Sequence, residues 1–159
     1  MTQEQFLEFV SKQQPSSTFQ TKTLWLKKEI QSNISNILNH KYPKLRLRYK
    51  INDEPNTPTS VWYLNEIGKE RPITFGVSIK NNRVQMIRVL EFRESRGFEI
   101  SIPEFATQFE NIGLNNSQQL DRNIDGITGA TMSVSAMKKI SRLAIFLHKY
   151  ILTKSSEAK

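Results

Sequence analysis

The 159-residue chain contains no cysteine, only two histidines and six glycines. The lack of cysteine excludes disulfides, thiolate catalysis, iron–sulfur clusters and zinc sites of the cysteine type. The two histidines, His40 and His148, are far apart in sequence. Two histidines are too few for a histidine-rich metal site, and they leave few ways to form a Ser-His-Asp triad. We expect both histidines to be ordinary surface or half-buried residues.

Long apolar runs are also missing. No segment approaches the roughly 18 apolar residues that span a bilayer. The first 20 residues lack the basic and apolar regions of a secretory signal. Two expectations stay open, a cytoplasmic protein or the mature part of an exported protein whose signal has been removed.

The composition indicates a folded and basic domain. Hydrophobic residues make up 37% of the chain, and the formal net charge is +8. A basic balance favours an anionic partner, surface or phosphate-bearing ligand. The length predicts a single domain over residues 1–159, with 153–159 as a frayed tail.

Hydrophobic periodicity predicts the fold class. Apolar spacing typical of helices occurs at 2–13, 26–39, 104–114 and from about 131 to 152. Strand patterns occur at 44–51, 61–67, 73–80 and 83–92. The last two flank Asn81-Asn82, a dipeptide that suits a tight hairpin. The order predicts an α+β domain, in which helices flank an antiparallel sheet of about four or more strands and a long C-terminal helix closes the chain.

One predicted strand carries a basic outer face, formed by Lys44, Arg46, Arg48 and Lys50. We favour an edge strand that its charges protect against aggregation. An acidic redox partner or anionic lipid headgroups are the alternative ligands of this face.

The stretch "DGITGATMS", residues 125–133, precedes the long helix. Gly126 and Gly129 permit backbone conformations closed to other residues. Thr131 or Ser133 can cap the helix, and the free N–H groups of a helix start favour a phosphate. The stretch lacks the P-loop lysine and the GxGxxG spacing. From these residues alone, an ordinary capped helix start is the alternative.

This stretch resembles the flavinylation motif of the FMN-binding domain family, Asp-Gly-x-Ser/Thr-Gly-Ala-Thr-x-Ser/Thr. The family includes the covalent-FMN subunits of the sodium-translocating NADH:quinone reductase and of the Rnf complex. The resemblance implies that a separate magnesium-dependent transferase takes FMN from FAD and joins its phosphate to Thr131. The matching positions are Asp125, Gly126, Thr128, Gly129, Ala130, Thr131 and Ser133.

A second stretch, "VLEFRESRGFEI" at 89–100, resembles the family's Glu-Thr-x-Gly-x-Gly segment, which lies near the flavin. Glu94 and Gly97 match, Ser95 stands for the threonine, and Phe98-Glu99 depart from the pattern. Glu94, Ser95, Arg96 and Gly97 are therefore candidate cofactor-binding residues. The Phe-x-x-Gln-Phe segment follows as Phe105, Gln108 and Phe109. The resemblance covers roughly residues 73–150, and residues 1–60 carry no recognised motif.

The resemblance implies an electron-transport flavoprotein with a phosphothreonyl-FMN group, a redox carrier more than a stand-alone enzyme. It implies no catalytic residue and no metal site. The expected partners are the flavin transferase and an unidentified redox partner, for which a membrane-bound protein is one alternative, but no nucleic acid. The expected location is periplasmic or otherwise extracytoplasmic, with cytoplasmic as the alternative. The rival function is a basic, non-enzymatic module that binds nucleic acid or an anionic membrane surface.

Overall fold

The computed structural model describes residues 1–157, with side chains described to residue 154. Its helices are α1 (Gln3–Lys12), α2 (Lys28–Leu38), α3 (Pro103–Ala106) and α4 (Thr131–Glu157). Its strands are β1 (Phe19–Trp25), β2 (Arg46–Asn52), β3 (Ser60–Ile67), β4 (Pro72–Lys80) and β5 (Arg83–Glu91). Helix α4 continues five residues past the predicted end at 152, so residues 153–157 of the expected tail are helical. Residues 158–159 of that tail lie outside the described part.

The five strands form one antiparallel sheet in the order β1-β2-β3-β4-β5. The predicted α+β class with an antiparallel sheet is confirmed. Strand β1 was not predicted, because its sequence, "FQTKTLW", is mostly exposed and shows no clean alternation. It pairs with β2 over its whole length, from Phe19↔Asn52 to Trp25↔Arg46. The prediction that 44–51 forms an edge strand is therefore wrong, since β2 lies between β1 and β3.

The β4–β5 hairpin turns at Asn81 and Asn82, whose φ values of 55° and 59° are those of a tight two-residue turn. Ile79 pairs with Val84, as a two-residue turn requires. A bulge between Ser78 and Ile79 then shifts the register by one, so that Val77 pairs with Ile87 and not with Met86, the partner that a regular ladder would give. The shift places Ile87 on the face of the large core and Met86 on the opposite face, in the cluster with Phe6.

Helices α2 and α4 cover one face of the sheet and bury the large core. Ile30, Ile34 and Leu38 of α2 are fully buried there with Phe75 and Val77 of β4. Helix α4 contributes a buried apolar stripe, which comprises Met137, Ile140, Ala144, Leu147 and Ile151.

His148 lies in this core and is 1% exposed, so the expectation of a surface or half-buried histidine is wrong for it. Its Nδ1 is 2.6 Å from Ser60 Oγ, which also accepts a hydrogen bond from Trp62 Nε1 at 2.7 Å. Burial lowers the pKa of His148 to about 4. The imidazole is therefore neutral at ordinary pH. His40 is exposed, as expected.

Helix α1 packs on the opposite face. Thr2 and Gln5 form the capping box that starts it. Its Phe6 ring lies 2.9 Å from the position that a Cβ on Gly76 would take, so only glycine permits this approach. Phe6 and Val10 form a small buried cluster with Val61 and Met86.

Candidate functional site

Three segments that are distant in sequence surround a cleft of about 770 Å³ at one end of the sheet. They are the turn after β3, the segment after β5 and the first turn of α4. Small-molecule sites usually measure roughly 300–1,000 Å³, so the cleft has the size of a cofactor site. Its lining comprises Lys69, Glu70, Arg71, Arg93, Glu94, Ser95, Arg96, Gly129, Ala130, Thr131, Met132 and Ser133.

Thr131 is the first residue of α4, and it is exposed on the cleft. The preceding turn is closed by a hydrogen bond from the Ala130 N–H to the Ile127 carbonyl at 3.0 Å. Gly129 takes a φ of +83° in this turn, a conformation that costs glycine little. The helix then begins with a bond from the Val134 N–H to the Ala130 carbonyl. The turn thus presents the threonine hydroxyl at a helix N-terminus, where an anionic group is favoured.

Ser133 joins the attachment loop to the segment after β5. It is 3% exposed and lies against Gly97, which has a φ of +94°. A Cβ on Gly97 would lie 3.1 Å from Ser133 Cβ and still closer to its Oγ. These two positions were predicted from separate motifs, and the structure brings them into contact.

Glu94 holds the turn after β3 in place. Its carboxylate accepts hydrogen bonds from the backbone N–H groups of Lys69 at 2.7 Å, Glu70 at 3.2 Å and Arg71 at 2.6 Å. Partial desolvation raises the pKa of Glu94, but these three donors outweigh it, and the pKa lies below its usual value. Glu94 therefore stays ionised and positions the turn, whatever contact it makes with a ligand.

Sequence reasoning missed the contribution of Lys69, Glu70 and Arg71, because "GKERP" shows only the composition of a turn. The signal that could have found them is Glu94 itself. A carboxylate that follows one strand can accept hydrogen bonds from the free N–H groups of a turn at the same end of the sheet.

The cleft has an excess of positive charge. Lys69, Arg71, Arg93 and Arg96 line it beside two carboxylates, Glu70 and Glu94.

Part of this charge is paired. The Arg93 guanidinium lies 2.5 Å from Glu91 Oε2 and also donates to the Pro72 carbonyl at 2.8 Å. The remaining excess favours an anionic ligand.

The other motif residues lie on the outer side of the loop. Asp125, Gly126 and Thr128 are exposed and do not line the cleft. The backbone N–H of Asp125 donates to Gln108 Oε1 at 2.8 Å, so the Phe-x-x-Gln-Phe segment supports the start of the loop.

Lys138 and Lys139 of α4 do not line the cleft either. Lys139 Nζ lies 3.8 Å from the buried Glu66 carboxylate, while Lys138 lines a separate groove.

Residues 68–145 match the model of the FMN-binding domain family. A search of curated proteins finds no match for this chain. Among the described residues, no helix is both long enough and apolar enough to cross a bilayer. The matched segment includes every residue that lines the cleft. The cleft thus lies within residues 68–145, and these residues belong to the FMN-binding domain family.

Proposed function

We propose that this protein is an electron carrier whose FMN is bound covalently through its phosphate to Thr131. The observation that carries the proposal is the position of Thr131. Its side chain lies at the N-terminus of α4, on a positively charged cleft inside the segment that matches the FMN-binding domain.

The residues of the cleft fit a phosphorylated flavin. The first turn of α4 favours the negative charge of a phosphodiester. Gly129 and Ala130 are small and leave the Thr131 hydroxyl open to an approaching enzyme. Lys69, Arg71 and Arg96 would hold the anionic and polar parts of the group. When bound, FMN supplies reversible electron transfer. The chain has no cysteine and therefore no thiol–disulfide pair that could do so.

Attachment needs an outside enzyme, because a threonine hydroxyl is a poor nucleophile without a base. No histidine lines the cleft in the described part of the chain. We propose that a magnesium-dependent transferase provides the base and uses FAD as donor. The Thr131 oxygen forms a bond to the FMN phosphorus, the bond to the adenylate oxygen breaks, and AMP leaves. The hydroxyl proton passes to the base, and no electron is gained or lost.

The chain's own residues then set the environment of the flavin. Gly97 and Ser133 fix the segment after β5 against α4, and Glu94 fixes the turn after β3. We also propose an extracytoplasmic location and a redox partner, which the family resemblance supports. The rival function, a basic module in place of a flavin protein, has no support from the comparison.

Intact mass measures the attachment directly. After co-expression with a flavin transferase, the full chain should gain the mass of FMN less one water, and the yellow colour should survive denaturation. Thr131→Ala should abolish the gain, while Thr131→Ser, which keeps a hydroxyl, should retain part of it. Peptide mapping that finds the label on Thr128 or Ser133 would contradict the assignment.

A further inference from the structure

A second surface lies on the sheet, apart from the cleft. Helix α1 covers β3, β4 and β5 on its face of the sheet, where Phe6 packs on Gly76. Strands β1 and β2 extend beyond it. On this face Trp25 pairs with Arg46, Thr23 with Arg48 and Thr21 with Lys50. We call the surface made by Trp25, Leu45 and the cations Lys44, Arg46, Arg48 and Lys50 the basic face.

The basic face has one sign of charge. A shallow groove of about 640 Å³ crosses this face, and no acidic residue lines the groove. The lining residues are Gln3, Trp25, Lys44, Leu45, Arg46, Leu47, Arg48 and Tyr63. The Arg46 guanidinium lies 5.8 Å from the centre of the Trp25 ring, and Lys50 Nζ donates to Thr21 Oγ1. Because β2 is not an edge strand, protection of an edge does not explain these cations.

Two large apolar side chains protrude at one end of the basic face. Trp25 is 57% exposed and Leu45 is 76% exposed. They are held close together, since the Leu26 N–H donates to the Leu45 carbonyl at 2.9 Å. Tryptophan is favoured at the boundary between lipid headgroups and acyl chains, and nearby lysines and arginines are attracted to anionic headgroups.

These observations favour lipid over a nucleic acid. A single-strand binding surface stacks successive bases on several exposed aromatic rings. Here Tyr63 is half-buried and its hydroxyl donates to the Gln3 carbonyl, which leaves Trp25 as the exposed ring of the groove. We propose that the basic face docks on an anionic membrane surface, with its cations over the headgroups and with Trp25 and Leu45 at the boundary.

The basic face reaches the end of the sheet that holds the cleft. Lys44 shares a small groove with Ile67 and Pro72, at the end of the sheet that also holds the turn after β3. Pro72 in turn accepts a hydrogen bond from Arg93 of the cleft. The inference goes beyond the proposed function and does not depend on flavin attachment.

Vesicle binding by the full chain tests the proposal. At about 0.1 M salt, where the Debye length is about 10 Å, the protein should sediment with vesicles that contain phosphatidylglycerol and not with pure phosphatidylcholine. Trp25 emission should move to shorter wavelength on binding. Trp62 is fully buried, so its emission stays constant as an internal reference. Absence of binding to anionic vesicles would overturn the proposal.

Variants decide whether the basic face is responsible. Arg46→Gln with Arg48→Gln should weaken binding by roughly 30-fold, at about 1 kcal/mol for each cation near the surface. Lys138→Gln with Lys149→Gln removes the same charge from α4, on the other face of the sheet, and should leave binding nearly unchanged. An equal loss of vesicle binding in the two double variants would show that the net charge alone attracts the protein, and it would overturn the assignment of the basic face as the docking surface. Binding to single-stranded DNA tighter than to the vesicles would overturn the choice of lipid.

Discussion

Gly97 lies directly against Ser133, so the segment after β5 and the first turn of α4 meet without space for another carbon. Gly97 also has a φ of +94°, which side chains rarely adopt. The contact makes one site from two motifs that are more than 30 residues apart in the chain.

Gly97→Ala should therefore be strongly destabilising. Left-handed backbone costs about 1–2 kcal/mol in a residue other than glycine. Overpacking against Ser133 adds about 1–3 kcal/mol. Together they predict that the free energy of unfolding in urea falls by about 2–5 kcal/mol. Gly126→Ala is the matched control, because a Cβ there meets nothing within 4 Å. A similar change in both variants would contradict the packing argument.

Asp125 offers a test of recognition by the transferase. Its side chain is exposed, while its backbone N–H is held by Gln108. If the carboxylate guides the enzyme, Asp125→Ala should reduce flavin incorporation and leave the melting curve unchanged. If it instead stabilises the turn, stability should fall by about 1 kcal/mol while incorporation stays complete. Circular dichroism melting beside flavin absorbance distinguishes the two results.

Charge near the flavin should tune its potential, because a positive field stabilises the more negative reduced form. Arg96→Ala should lower the midpoint potential in an anaerobic reductive titration. Arg93→Ala should lower it too, since the substitution leaves the Glu91 carboxylate, 2.5 Å from the Arg93 guanidinium, without its cation. Lys159→Ala, at a position outside the described residues, is expected to have no effect. Equal potentials in the wild type and Arg96→Ala would show that this segment does not tune the flavin.

The buried His148 should make stability depend on pH. Burial lowers its pKa from 6.5 to about 4, so the unfolded chain binds a proton in this interval and the folded chain does not. The folded state has the full stabilisation from neutral His148 above pH 6.5. This part of the free energy of unfolding is lost as the pH falls toward 4, by roughly 3 kcal/mol in total. Urea unfolding at several pH values should show this slope. In His148→Leu the slope between these limits should be flatter, and an unchanged slope would assign it to other groups.

The sequence was sufficient where a pattern is local. The apolar spacing at 2–13 predicted α1, and Asn81-Asn82 predicted the hairpin turn. The motif placed Thr131 at a helix start. Strand β1 escaped prediction because an edge strand exposed on both faces needs no apolar alternation. Its omission also produced the wrong assignment of β2 to the edge.

The parts of the site that depend on tertiary contacts could not be predicted. The turn at Lys69, Glu70 and Arg71 reaches the cleft because Glu94 binds its backbone, a contact between side chain and main chain that leaves no sequence pattern. The bulge at Ser78 and Ile79 likewise follows from packing on two faces at once. The position of His148 depends on Ser60, which lies 88 residues away.

Helix α1 has a small buried contact with the sheet, and this affects local unfolding. The helix holds to the sheet through two fully buried side chains, Phe6 and Val10, whose burial contributes about 3–6 kcal/mol. Helix α4 buries many more on the other face. Helix α1 should therefore detach in a partial unfolding step while the rest of the sheet stays intact, and its amides should exchange with solvent before those of β4. The candidate cofactor cleft lies outside that step, because none of its lining residues belongs to α1.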